Sequence, residues 1–400
     1  MNSFEDETPH PTDLRIHIQK LKDHRIDRNK KHSLHDVVMI VVSGLICGHE
    51  GWDSITAWAN LRQEWFRSFL DLSNGIPSSD TCRRVFERLN PQALQQCLTE
   101  WITALRKKSN GQVIAIDGKT IRGVGQSDSG KPLLHSLSAW VAESGLSLAQ
   151  IKTDIKSNEI TAIPLLLELI DIEDSIVTID AMGCQTKIAQ AIRDKKGDYV
   201  LALKGNHPNL QSNIAGFFEI QQANGFKDVA YQSTTTVDKG HGRVEKREYW
   251  HVADLAWLAE RTQWPGLASI GMVKRTRTTS KGTSEEMQFY LSSLPLNVER
   301  FAHAVRSHWS IENSLHWVLD VTFNEDGCRI RKDHAPENLA ILRRTVLSLL
   351  KSEGVCTDSS NPHKRMRAAY DLDFFEHVLL GTSYSLPPKP AASDSRKKKD

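Results

Sequence analysis

Two aspartates stand out in this 400-residue sequence because each closes a short run of β-branched residues, VIAID ending at Asp117 and SIVTID ending at Asp180. Val and Ile are stiff at χ1 and suit a pleated, buried surface, so each run predicts a strand with a carboxylate at its end. Side by side in one sheet, the two strands would hold two carboxylates close together. Adjacent carboxylates repel unless a cation lies between them, and the repeated pattern therefore points to a divalent-metal site. The plainer reading is that each aspartate caps the turn or helix that follows its strand. A third acid, Glu312, lies on a predicted helix with His308 one turn before it and His316 one turn after it, all on one face. The two histidines are eight residues apart, not the four of the HEXXH signature, which argues against zinc.

Composition sets bounds on what such a site could serve. Hydrophobic residues make up 39% and charged residues 25%, ordinary for a globular protein. The net charge of +2 implies nucleic acid only if it is unevenly distributed. Six cysteines (47, 82, 97, 184, 328 and 356) show no CxxC or zinc spacing and read as reduced thiols. The acidic, polar N-terminus is unlike a signal peptide, and the longest apolar run, 37–47, is too short to span a bilayer. A cytoplasmic protein without membrane association is expected.

The elements that must position the acids follow from periodicity. Residues 1–13 read as disordered and 14–108 as an all-helical N-terminal region of DNA-binding type. Its helix after the turn at Ile76-Pro77 bears Arg83, Arg84 and Arg88. Such a helix suits a DNA groove, and it equally suits the solvated face of a plain bundle. From 111 to 225 the pattern gives strands at 112–117, 133–142 and 146–153, a helix at 159–171, the Asp180 strand, a helix at 185–195 and a strand at 198–203 running into Lys204. A three-strand meander followed by β-α-β-α-β is the order of a ribonuclease-H-like mixed α/β sheet, in which the first and fourth strands are neighbours. That order would place Asp117 beside Asp180.

Residues 226–298 break the alternation and read as an inserted, mostly β subdomain, with strands at 229–237, 244–252, 268–276 and 286–293. Arg243, Lys274, Arg275 and Arg277 are interleaved there with aromatics, a mixture that suits nucleic-acid backbone contact and stacking. A solvated sheet face over core aromatics accounts for it as well. Residues 299–355 return to helix and carry Glu312 as the second part of the core, and 356–400 form a C-terminal extension with a basic tail. Two nucleotide signatures fail: Val113 stands where a P-loop before Gly118-Lys-Thr120 needs glycine, and Gly123-Val-Gly125 lacks its third glycine.

Taken in order, GIPSSDTCRRVFERLNP, AIDGKTIRG, TIDAMGCQ, LALKGNHP and RSHWSIENSLHWVLDVTFNEDGCRIR resemble the DDE transposases of bacterial insertion sequences, in the branch of the H-repeat-associated proteins, over roughly residues 12–355. The resemblance implies that Asp117, Asp180 and Glu312 bind two Mg²⁺ ions, with Mn²⁺ as a substitute. One ion would activate water or a 3′-hydroxyl and the other would stabilise the departing 3′-oxygen in an in-line displacement. It implies DNA as partner, both element ends and target, and a dimer when ends are bound. Related transposases carry tyrosine, arginine and lysine around the glutamate where this chain has Val305, His308 and Leu319, so the hairpin-forming version of the mechanism is not implied. Lys119, Arg306, His308 and His316 remain as auxiliary groups near the scissile phosphate, and Asp326 as a further acid or a turn residue. A non-catalytic DNA-binding relic and a nuclease on the same fold are the alternatives.

Overall fold

The β-branched runs pair as strands, and the strands among the described residues join one sheet. The computed structural model describes residues 12–386 except 24, 27–29, 126–133, 154–158 and 241, so the expected disordered leader up to residue 11 and the basic tail from 387 lie outside the described residues. Six helices come first, α1 (Leu14–Gln19), α2 (Leu34–Ile46), α3 (Trp52–Leu61), α4 (Gln63–Phe66), α5 (Ser79–Arg88) and α6 (Pro91–Leu105). Then follow β1 (Val113–Thr120), β2 (His135–Val141), β3 (Leu146–Thr153), α7 (Glu159–Leu169), β4 (Ile176–Ile179), α8 (Thr186–Asp194), β5 (Asp198–Leu203) and α9 (Pro208–Asn224). Four long strands come next, β6 (Tyr231–Gly240), β7 (Arg243–Val252), β8 (Ser269–Thr279) and β9 (Gly282–Ser292). The chain closes with α10 (Val298–His308), α11 (Trp317–Val321), α12 (Ala335–Ser352), α13 (Asn361–Tyr370) and α14 (Leu372–Leu380).

The strand order is β3-β2-β1-β4-β5-β9-β8-β7-β6. β1 and β4 are parallel neighbours with Ile116 opposite Ile179, so Asp117 and Asp180 follow matched residues at the same level of the sheet. One detail differs from the sequence reading. β4 stops at Ile179, but β1 keeps pairing with β2 as far as Thr120, which places Asp117 inside its strand and not at its end. The region 226–298 also differs, because its meander does not make a sheet of its own. β9 pairs with β5, Leu291 opposite Leu201, and carries the sheet onward.

Local chemistry explains the helix starts. Ser33 Oγ accepts the Asp36 amide at 2.9 Å, Asn90 caps α6 ahead of Pro91, and Asp13 caps α1. α2 is apolar almost all round, and both α2 and α12 are buried along nearly their whole length, α12 with Arg343 and Arg344 paired inside. α6 and α12 pack against β3, α12 also touches α2 and α5, and α13 and α14 close over α1 and α2. The N-terminal helices thus share their core with the C-terminal ones. α10 crosses the sheet over β1, β4, β6 and β7. It lies close because Gly271 of β8 faces Phe301; a Cβ there would stand 2.1 Å from the ring. Among the described residues, no helix is long and apolar enough to cross a membrane.

Candidate active site

Asp117, Asp180 and Glu312 line one cavity of about 520 Å³ under α10, together with Lys204, His308, His316 and Asp320. Asp180 does act as a cap: its Oδ1 accepts the amides of Met182 at 3.0 Å and Gly183 at 3.4 Å. The plainer reading thus holds for one oxygen of Asp180, without removing its carboxylate from the cavity. Asp117 caps nothing. Burial pushes its carboxyl up to about 7 against the lowering effect of the Gly118 amide, with the charges of Asp180, Glu159 and Glu312 adding to the rise. Behind it on the other face of β1, His135 Nε2 sits 2.7 Å from Glu159 Oε1 and His135 Nδ1 sits 2.8 Å from Thr120 Oγ1. Gly118 leaves room for this pair close against the strand, since a Cβ there would fall 2.2 Å from Glu159 Oε1.

Glu312 does not sit on a regular α-helix. It opens a π-helical turn, Glu312–His316, between α10 and α11, so the single α-helical face expected for His308, Glu312 and His316 is interrupted. Such widened turns recur at functional sites. His308 Nδ1 is hydrogen-bonded to Thr178 Oγ1 at 3.0 Å, and burial lowers its pKa to about 4. His316 is lowered to about 3 by burial and then by the nearby Arg344 and Lys119 charges, and its Nδ1 lies 3.6 Å from Asp117 Oδ2. Burial thus disfavours the charged form of both rings.

The remaining expected site residues separate into distinct surroundings. Lys119 is 7% exposed and its ammonium is engaged by Asp320 at 2.6 Å, Glu325 at 3.3 Å and Asp326 at 3.3 Å. Asp326 does not line the acid cavity; it accepts the Arg122 amide at 3.1 Å and holds a turn. Asp320 does line it and was not singled out from the sequence, although its place eight residues after Glu312, two helical turns, was a readable signal.

A second cavity of about 230 Å³ opens beside the first and shares Gln288, Val305, Trp309 and Glu312 with it. Arg243, Arg275, Arg277 and Arg306 line it, joined by Arg247, and the Arg275 guanidinium lies 5.6 Å above the Trp309 ring. Lys274 is not among them. Strand alternation turns it to the opposite face, where it pairs with Glu285 at 3.1 Å. Arg84 and Arg88 line a separate groove of about 590 Å³ against Lys22 and Arg25, while Arg83 is held by Asp80 at 2.9 Å and Glu87 at 2.8 Å.

Among the described residues, no three His, Cys, Asp or Glu side chains form a ready-made metal cage. Three carboxylates lining one cavity nevertheless fit Mg²⁺ or Mn²⁺, hard ions that take oxygen ligands. Mg²⁺ in particular is commonly held by one or two carboxylates and completes its shell from water and substrate phosphate.

Residues 108–349 match the family described as "Transposase DDE domain", and residues 16–102 match its companion, "DDE_Tnp_1-associated". The chain is 38% identical to "Putative transposase YncI" of Escherichia coli O157:H7, covering 92% of this chain and 94% of that protein. It is 35% identical to "H repeat-associated putative transposase YhhI" of Escherichia coli K12, covering 93% and 99%. Over 72 residues, 18% of this chain and 86% of the other, it is 32% identical to "Inactive transposase YbfQ" of Escherichia coli K12. A solved synaptic complex of piggyBac transposase with hairpin DNA aligns at a TM-score of 0.36 and 10% identity, over 98% and 86% of the two chains. That likeness is too low to bear on fold or function.

Proposed function

Since the chain belongs to the DDE transposases, in the branch of the H-repeat-associated proteins, we propose that it cleaves DNA at element ends and joins the freed 3′-hydroxyl to target DNA, with Asp117, Asp180 and Glu312 as the reacting acids. The observation that carries this reading is the acid cavity, where two carboxylates from parallel neighbours β1 and β4 meet a third from above the sheet. The order β3-β2-β1-β4-β5 supports a ribonuclease-H-like core, with the meander β6–β9 as its insertion.

Asp117, Asp180 and Glu312 would hold two Mg²⁺ ions, or Mn²⁺, which would supply activation of the attacking oxygen and charge stabilisation at the departing 3′-oxygen. The chain's own groups do the rest. Lys204, exposed at the rim, meets a non-bridging phosphate oxygen. Neutral His308 and His316 wall the cavity, offering hydrogen bonds without competing for the phosphate's charge. The arginines of the adjoining groove hold the strand that leads to the scissile bond. Arg84 and Arg88 on α5 recognise the element end, and two copies act together on paired ends.

The test uses purified protein, Mg²⁺, an end fragment with a free 3′-hydroxyl and a supercoiled target. Joined products are expected from the wild type. Asp117→Ala, Asp180→Ala and Glu312→Ala should each abolish cleavage while leaving end binding nearly intact, because affinity comes from basic groups elsewhere. Nicking without joining would make the protein a nuclease. End binding with no chemistry in Mg²⁺ or Mn²⁺ would make it a relic.

A further inference from the structure

Glu312 reaches the acid cavity from a turn that needs outside support. A π-helical turn is rare, and an unfavourable backbone state persists only where surrounding contacts over-determine it. Leu315 and Leu319, on either side of the end of this turn, are fully buried and fix the apolar side of the segment. The polar support comes from β1. Lys119 lies two residues beyond Asp117, on the same face of the strand, and its buried ammonium meets Asp320 of α11 at 2.6 Å. The same ammonium meets Glu325 and Asp326. Glu325 is fully buried and is held from behind by Arg344 at 3.0 Å, and Arg344 donates to Ser138 of β2 at 3.2 Å. The corner after β1 closes the arrangement: Gly123 sits so near the Cys328 and Asp326 carbonyls that a Cβ would fall 2.4 and 2.5 Å from them. One strand thus carries both an acid of the cavity and the cation that grips the segment bearing another.

We infer that Lys119 is a positioning residue: by holding Asp320 it keeps the π-helical turn wound as it is and so keeps Glu312 aimed into the cavity of Asp117 and Asp180. Without that grip the turn relaxes towards regular α-helix. A slip of one residue between α10 and α11 swings Glu312 by about 100° around the helix axis, out of the cavity. The inference rests on the proposed reading of the three acids.

It is tested on the full chain with Lys119→Met, Asp320→Asn and the two combined. Lys119→Met is expected to slow cleavage at least about 100-fold while leaving end binding unchanged, since a displacement of only about 1 Å at reacting groups already costs that much. The Mg²⁺ concentration for half-maximal cleavage should rise about tenfold, as it does when a ligand loses its support. The rise in melting temperature that Mg²⁺ or Mn²⁺ gives the wild type should shrink in parallel. If Lys119 acts through Asp320, the combined variant is no slower than Lys119→Met alone. Lys119→Arg, which keeps the charge, should recover part of the loss. Cleavage by Lys119→Met at the wild-type rate, an unchanged metal response, or losses that multiply would each overturn the inference. Should Lys119→Met fail to fold, Asp320→Asn, at a site 36% exposed, carries the same measurements. Normal cleavage by Asp117→Ala or Glu312→Ala would instead remove the proposed reading, whatever Lys119 does.

Discussion

Asp117 is costly to ionise in the folded chain, and that cost can be measured. Burial pushes its carboxyl up to about 7 from the ordinary 3.8, so between those pH values the native state binds a proton that the unfolded state releases. Stability contributed by this group is therefore lost as pH rises through that window, and the full penalty is present above pH 7. Asp117→Asn should then melt higher than the wild type at pH 8 and equally at pH 3, read by calorimetry without divalent ions. Added Mg²⁺ should stabilise the wild type more at pH 8 than at pH 5, because the carboxylate must be ionised to bind, and should stabilise the Asn variant little at either. Equal melting of the two proteins at pH 8 would sink this account of Asp117. The two aspartates drew notice in the sequence because each follows a β-branched run, a local pattern, although β1 continues past Asp117. The role of Lys119 was not, because its partners Asp320, Glu325 and Asp326 lie about two hundred residues away in the chain. Grouping Lys274 with Arg275 and Arg277 failed for a simpler reason: strand alternation sends it to the other face of β8.

The strands were legible nearly to their ends, since β-branched runs and turn residues are local signals, and the placing of β1 beside β4 followed from connection rules. Two features at this scale were hidden. The continuation of the sheet through β9 depends on a pairing with β5 some ninety residues away, and the π-helical turn depends on contacts from outside its own segment. The approach of α10 to the sheet has a local test. Gly271→Ala would press a methyl group into the Phe301 ring, and overpacking of this kind costs about 1–3 kcal/mol. Because α10 leads into the turn carrying Glu312, cleavage should fall with stability. Gly216→Ala, inside α9 with open space around it, is the matched control and should stabilise by roughly 0.5–1 kcal/mol through helix propensity. Denaturant unfolding of both variants decides the matter; a neutral Gly271→Ala would mean that α10 sits farther from β8 than the structure shows.

At the scale of the whole molecule, the helices before and after the sheet share one core, which the sequence did not reveal because contacts such as Asn338–Phe86, Arg343–Glu50 and Arg365–Leu45 span 252, 293 and 320 residues. Arg365 of α13 is the junction. It is 7% exposed, donates through Nη2 and Nε to the Leu45 carbonyl at the end of α2 at 2.7 and 3.0 Å, pairs with Glu50, hydrogen-bonds the Thr322 carbonyl beyond α11, and lies 4.3 Å above the Phe323 ring. Glu50 in turn takes Arg343 of α12 at 3.2 Å, and Phe375 of α14 packs its ring against Trp58 and Trp65 of the N-terminal helices. An arrangement tied this way should unfold in a single transition, with no separate melting of residues 14–108. Arg365→Met removes charged hydrogen bonds to two carbonyls and one partner of Glu50, and should cost about 2–4 kcal/mol. Arg67→Gln breaks an exposed pair with Glu64 and should change stability by less than about 1 kcal/mol. Calorimetry on both variants tests the junction directly. A second, lower transition appearing in the wild type, or an Arg365→Met protein as stable as its parent, would show that the N-terminal helices stand on their own and that end recognition and the acid cavity belong to separately folding parts.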